Sequence, residues 1–283
     1  MASKIFITLL SSPSYINGVI VLFRSLIKYG RTKYPFACVC SLSIEDKDIC
    51  LLEKNGIRCI RLSKTATDSV DLSFQTNMFS HWNNTFDKLL IWSLTGYDKI
   101  VFLDSDMIVL DNIDELFDRP AFSAVAAGQL IYGWDRLNSG LLIIKPDKDV
   151  CTKLLSQIPL TVTNFLKENK PVGDQDIIND YIPNWSNRDD LHLHEGYNLF
   201  FSIITKYHKE FNFSYGKNIK VVHFIGPLIY KPWKHNLLKI SYHILEYSLH
   251  NWYGLKAYSL YQLLLMRIRA RNILYQLFKI RRK

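Results

Sequence analysis

Near the N-terminus, short apolar runs alternate with stretches of helical period, and this alternation restricts the fold more than any other feature of the chain. Ile5–Leu10 reads as a strand, and Tyr15–Tyr29 as a helix with Val19, Leu22, Phe23, Leu26 and Ile27 on its apolar side. Phe36–Ser41 follows as a strand, Glu45–Asn55 as a helix closed by Gly56, and Ile57–Leu62 as a third strand. A βαβαβ rhythm of this kind predicts a parallel sheet with right-handed crossovers covered by helices. The turn after the first strand is Ser11-Ser12-Pro13-Ser14, with no GxGxxG pattern, so a dinucleotide fingerprint is absent. With 283 residues the chain is long enough to bury such a core without disulfides or structural metal.

Beyond residue 62 the period weakens. Residues 64–84 are polar and read as a long loop, after which Asn83-Asn84-Thr85 caps a helix running to Thr95 and stopped by Gly96. Lys99–Leu110 reads as one strand, Asn138–Lys145 as another, Cys151–Asn169 as a helix, and a further helix starts near Asp174. A strand over Lys217–Ile225 and an irregular Pro/Trp segment lead to a helical, basic stretch from about His243. The organisation expected is one domain over residues 1–240 and a helical C-terminal extension over 241–283. Hydrophobic residues at 48% and charged residues at 22% exclude a mainly disordered chain. Five cysteines without a CxxC pair argue against a disulfide framework or a zinc site. Neither a signal peptide nor an apolar run of the ~20 residues that a membrane span needs is present, and a cytoplasmic location is expected.

The net charge of +9 is unevenly placed: after Glu246 there are eight basic residues and no acidic one, leaving the rest of the chain nearly neutral. On a helix, Met266, Ile273, Leu277 and Ile280 share one side, while Arg267, Arg271, Arg281 and Arg282 fall toward another. Such a helix suits peripheral contact with an anionic membrane through residues 266–283. A helix packed on the domain with a solvated basic face is the plainer alternative.

The most informative stretch is Lys99–Leu110, which carries Asp104 and Asp106 inside an apolar run. On a strand both would point to one side, and two carboxylates held together away from water call for a cation. A solvated turn between two short strands is the plainer alternative. His223, near the end of Lys220-Val-Val-His-Phe-Ile-Gly226, would complete a donor set suited to Mn²⁺ rather than Ca²⁺, unless it is simply a core histidine. Replacing either aspartate by Asn is expected to relieve repulsion, so stability without metal should hold or rise.

These residues resemble the glycogenin branch of glycosyltransferase family eight, the retaining sugar-nucleotide transferases. The resemblance runs through Lys88–Thr95, Tyr97, Val101–Asp106 and Asn112–Phe117. It continues through Asn138-Ser139-Gly140, Gly173-Asp174-Gln175, Tyr197-Asn198, Val221–Gly226 and Lys231-Pro232-Trp233, covering roughly residues 4–235 in order. It implies an α/β fold of GT-A type, a single Rossmann-like nucleotide-sugar-binding domain with a mostly parallel central sheet. It also implies that Asp104, Asp106 and His223 bind Mn²⁺, or Mg²⁺, bridging the phosphates of a UDP-sugar. Leu9, Ser11 and Tyr15 would hold uracil and ribose, Tyr15 by stacking, and Ser105 would meet the ribose. Lys88 would face a phosphate or sugar oxygen, and Gly226 and Lys231 would close on the diphosphate. Asn138, Ser139, Asp174 and Gln175 would line the sugar, with Asp174 and Gln175 as the catalytic pair.

The expected activity is transfer of glucose or galactose with retention to a glycan, a protein tyrosine, a polyol or a lipid-linked sugar, by a chain compatible with a homodimer. Two alternatives stand beside it. One is a lipid- or lipopolysaccharide-directed transferase docked by its basic tail. The other is a catalytically silent sugar-nucleotide-binding module.

Overall fold

The computed structural model describes residues 3–67 and 85–280, with side chains of the last helix up to Arg271. Most of the loop expected over 64–84, its cap residues Asn83 and Asn84, and the tail positions Ile273, Leu277, Ile280, Arg281 and Arg282 lie outside that description.

The expected βαβαβ start is present. Strand β1 (Lys4–Leu10) leads through a short turn to helix α1 (Ile16–Ser25), which continues as a wider turn over Leu26–Gly30. Strand β2 (Phe36–Cys40), helix α2 (Asp46–Lys54) and strand β3 (Arg58–Arg61) follow. With β4 (Lys99–Leu103), β6 (Ala124–Ala126) and β7 (Leu137–Ile144), they build a six-stranded sheet in the order β3-β2-β1-β4-β7-β6. The pairs β3-β2, β2-β1 and β1-β4 are parallel, and β4-β7 and β7-β6 antiparallel, so the sheet is mostly parallel.

Side-chain alternation along these strands divides the core into two layers. Ile5, Ile7 and Leu9 of β1 face a layer with Trp92 and with helices α3 (Lys148–Lys167) and α4 (Asp174–Tyr181). Phe6 and Leu10 face the layer that contains α1 and helix α7 (Leu255–Ile280). All five cysteines are free thiols.

Four expectations change. The strand over Lys99–Leu110 is two strands, because the chain leaves the large sheet at Leu103 and re-enters a second one as β5 (Met107–Val109). That second sheet has the order β5-β9-β8, with β8 at Leu199–Phe200 and β9 at Val221–His223, so the strand expected over Lys217–Ile225 shortens to three residues. The helix before Gly96 is a 3₁₀ helix over Phe86–Ser93, and every residue from Phe86 to Trp92 is buried. Finally, the helical C-terminal part starts at Leu237, capped by Asn236, as α6 (Leu237–His250), and breaks at Asn251 before α7. α7 is not a free tail: Tyr258, Tyr261, Leu264, Leu265 and Ile268 are buried in the core layer beside α1. Between β8 and β9 lies α5 (Ile204–Phe211).

Candidate active site

The Asp104-Ser105-Asp106 turn bridges the two sheets. Asp104 N–H donates to the Gly140 carbonyl on β7 at 2.8 Å, and Phe224 N–H donates to the Asp106 carbonyl at 3.0 Å. This is the turn that the plainer alternative foresaw, yet it is not solvated: Ser105 and Asp106 are buried. Gly18 of α1 packs against it so closely that an added Cβ would sit 2.5 Å from the Ser105 carbonyl oxygen. The antiparallel register Met107↔His223 then brings the histidine beside the two acids.

Side-chain donors of Asp104, Asp106 and His223 lie within 4.8 Å of one another. His223 Nε2 is 3.0 Å from Asp106 Oδ1 and 4.0 Å from Asp104 Oδ2. Its other nitrogen, Nδ1, is 2.9 Å from the Asn198 amide oxygen, and Asn198 Nδ2 donates to Asn138 Oδ1 at 2.7 Å. An amide oxygen only accepts, so this network assigns the proton to Nδ1 and turns the Nε2 lone pair toward the carboxylates. A lone pair facing carboxylate oxygens at this spacing needs a cation between them. Two carboxylates and one imidazole therefore fit a divalent metal such as Mn²⁺.

The two acids differ in their surroundings. Burial would raise the Asp106 carboxyl, but the Lys231 ammonium beside it holds it well below the usual carboxylate range. Lys231 is itself buried, with its ammonium 2.5 Å from Asp106 Oδ2 and 2.6 Å from the Phe224 carbonyl. Asp104 is raised, first by burial and then by Asp106, which outweigh the opposing pull of Lys88. Its side chain is the most open of the three, at 31% exposed.

Lys88 stands behind the acids with its side chain 4% exposed, paired with Asp104 at 3.1 Å and Asp174 at 2.7 Å. Burial alone would lower its ammonium pKa; the two aspartates more than offset this and raise it. Asp174 Oδ2 also accepts from the Ser139 hydroxyl at 2.7 Å, and Gln175 Oε1 accepts from Ser139 N–H at 3.2 Å. Asp174 is the first residue of α4, and the preceding Gly173 takes the N-cap position. Lys88 is thus a buried lysine held between two carboxylates.

A cleft of about 410 Å³ opens over the acidic turn. Leu9, Ser11, Tyr15, Lys88, Asp104, Ser105, Asp106, His223, Gly226 and Lys231 all line it. Asn138, Ser139, Asp174 and Gln175 do not reach its wall and form a hydrogen-bonded layer behind Lys88 and His223 instead. Gly226 has φ +100°, a left-handed conformation that favours glycine where the chain turns after β9. Two contributors lacked an assigned role. Asn198 orients His223, and Trp233 packs edge-on against Tyr15 at 5.3 Å while its indole N–H donates to the Ser14 carbonyl. Both lie in blocks that carry the resemblance, Tyr197-Asn198 and Lys231-Pro232-Trp233, which was the available signal.

Among curated proteins, glycogenin-1 of Mus musculus is 35% identical over 240 residues, covering 83% of this chain and 67% of the relative. Glycogenin-2 of Homo sapiens is 32% identical over 249 residues, covering 87% and 46%. The chain thus spans from about half to two thirds of the length of such relatives. Among solved structures, the galactosyltransferase LgtC in complex with donor and acceptor sugar analogues superposes with TM-score 0.57 at 16% identity, covering 91% of this chain and 95% of that one. The glycosyltransferase GlyE of Streptococcus pneumoniae TIGR4 gives TM-score 0.53 at 19% identity over 96% of this chain and 65% of its own. These likenesses establish the GT-A fold. The model of Glycosyl transferase family 8 matches residues 6–236, and the chain belongs to that family.

Proposed function

We propose that this chain is a metal-dependent retaining hexosyltransferase that moves glucose or galactose from a UDP-sugar to an acceptor hydroxyl. The observation that carries the proposal is the convergence of Asp104, Asp106 and His223 at the floor of the cleft that also presents Tyr15, Ser105 and Lys231. Mn²⁺ held by these three residues would supply positive charge to the departing diphosphate. Tyr15, Leu9 and Ser11 bind the nucleoside at one end, with Tyr15 braced by Trp233. Ser105 meets the ribose, and the Gly226–Lys231 segment closes over the phosphates. Lys231 neutralises Asp106 before the donor arrives and presents a cation on the diphosphate side. Asp174 and Gln175 remain the groups proposed for the sugar end. With its carboxylate committed to Lys88 and Ser139, Asp174 acts through Lys88, fixing that ammonium toward the cleft.

Incubating purified protein with a panel of UDP-sugars and Mn²⁺, and measuring released UDP, tests the donor. A mass shift on the protein in the same samples identifies a tyrosine acceptor on the chain itself. No UDP release from any UDP-hexose, with the protein folded, would overturn the proposal.

A further inference from the structure

Away from the donor cleft, the outer parts of α1 and α7 enclose a second cavity of about 280 Å³. Arg24 of α1, Lys28 of the turn that continues it, and Arg267 and Arg271 of α7 surround it, with Leu264 and Ile268 as an apolar floor. Among the described residues no carboxylate lines this cavity, and none of the four cations enters an ion pair. Arg24 is held in place: its guanidinium donates to the Asn55 carbonyl at 2.9 Å and lies over the Phe23 ring at 5.4 Å. Burial and the facing Arg271 guanidinium both lower its pKa, so the two charges oppose each other across the cavity.

Arg24 is half-buried, and Lys28, Arg267 and Arg271 are exposed. Four cations around one cavity with no carboxylate among its lining residues suit a multivalent oxyanion, which they can hold with charge-assisted, forked hydrogen bonds. We propose that this cavity binds a phosphate group, with Arg24 and Arg271 as the two forks, Lys28 and Arg267 closing around it, and the Leu264/Ile268 floor receiving an apolar neighbour of the phosphate. The site is separate from the donor cleft and does not depend on the transferase reaction. The same chemistry is offered by a phospholipid headgroup and by a free phosphorylated metabolite.

The test uses the full chain with saturating UDP, so that the donor cleft does not report. Inositol trisphosphate is titrated calorimetrically, and sedimentation is measured with vesicles of phosphatidylcholine alone or containing phosphatidylinositol phosphate. Arg24→Gln and Arg271→Gln should each weaken binding about fivefold, and Lys217→Gln, which removes an exposed charge elsewhere, should not. Thermal melting of the Arg24→Gln/Arg271→Gln double variant without phosphate checks that it is folded. Binding of the soluble probe as tight as that of vesicles assigns a free phosphate; preference for the phosphoinositide vesicles assigns a headgroup. If neither probe binds, or the folded double variant binds as well as wild type, the proposal is wrong.

Discussion

Replacing Asp106 and Asp104 singly by Asn should separate two acids that share one turn. Like-charge relief alone would leave both variants at or above wild-type stability when no metal is present. The structure gives a different result for Asp106. Its side chain is 12% exposed and holds the Lys231 ammonium, itself 3% exposed, at 2.5 Å. Asp106→Asn leaves that ammonium buried with only neutral acceptors, which costs about 3 kcal/mol. An unfolding entropy of roughly 0.6 kcal/mol/K for a chain of this size converts the loss to a melting temperature about 5 °C lower. Asp104→Asn is milder, because Lys88 keeps Asp174 at 2.7 Å and the neighbouring negative charge is relieved. Its melting temperature should stay within ~1 °C of wild type, since only a partly exposed pair is lost. Differential scanning calorimetry of the three proteins in chelator near neutral pH measures both shifts. Equal shifts, or a larger loss in Asp104→Asn, would refute the assignment of Lys231 to Asp106. Both variants should lose UDP-sugar turnover.

Gly18→Ala should drive a methyl group into the Ser105 carbonyl and displace the acidic turn, lowering turnover ~10–100-fold; wild-type kinetics would show that the turn tolerates movement. Asn198→Leu removes the acceptor on His223 Nδ1 and should weaken Mn²⁺ binding ~10–100-fold. Asn198→Asp, which keeps an acceptor oxygen, should lose less, and the order can be read by Mn²⁺ electron paramagnetic resonance. Tyr15→Ala should weaken UDP binding by ~1–2 kcal/mol, the scale of one aromatic–base stack, and unchanged calorimetric affinity would place the uracil elsewhere. Burial, His243 and Lys239 lower the His235 imidazole to about 4. The unfolded chain therefore binds this proton more readily, and stability falls as pH drops from ~6.5 toward 4, by up to about 3 kcal/mol. His235→Gln should flatten that slope in urea titrations at stepped pH.

The first three strands and their helices were legible because apolar periodicity changes from 2 to 3.6 at clear turns, and each strand sends alternate residues into one of two core layers. The change of sheet between Leu103 and Met107 was not, since a strand period does not report which neighbour the backbone pairs with. The cleft-lining residues were legible through the resemblance, whose blocks are separated in sequence and joined only in space. The burial of Lys88 was hidden: its neighbours Asp104 and Asp174 come from distant segments, and no local pattern marks a lysine that is paired twice. For α7 a signal did exist. Tyr258, Tyr261, Leu265 and Ile268 repeat at helical spacing and run into the start of the basic stretch at Arg267. The stripe is short and mixed with polar residues, so charge masked it.

The packing of α7 has a consequence for the order in which the protein can be made. The core layer beside α1 combines Phe6 and Leu10 with Val221, Val222, Trp233, Tyr261, Leu265 and Ile268, residues from opposite ends of the synthesis schedule. During translation β1, β2, β3 and β4 can pair as soon as they emerge and α1 can cover part of one face, yet that layer is complete only when residue 268 has left the ribosome. Tyr261 is near enough to Asp106 that the acid's charge, after burial, pushes its phenol pKa up, so the wall behind the acidic turn is also finished last. The nascent chain therefore carries a sheet whose layer beside α1 is only partly filled until late in synthesis, the kind of incomplete apolar surface that holding chaperones cover.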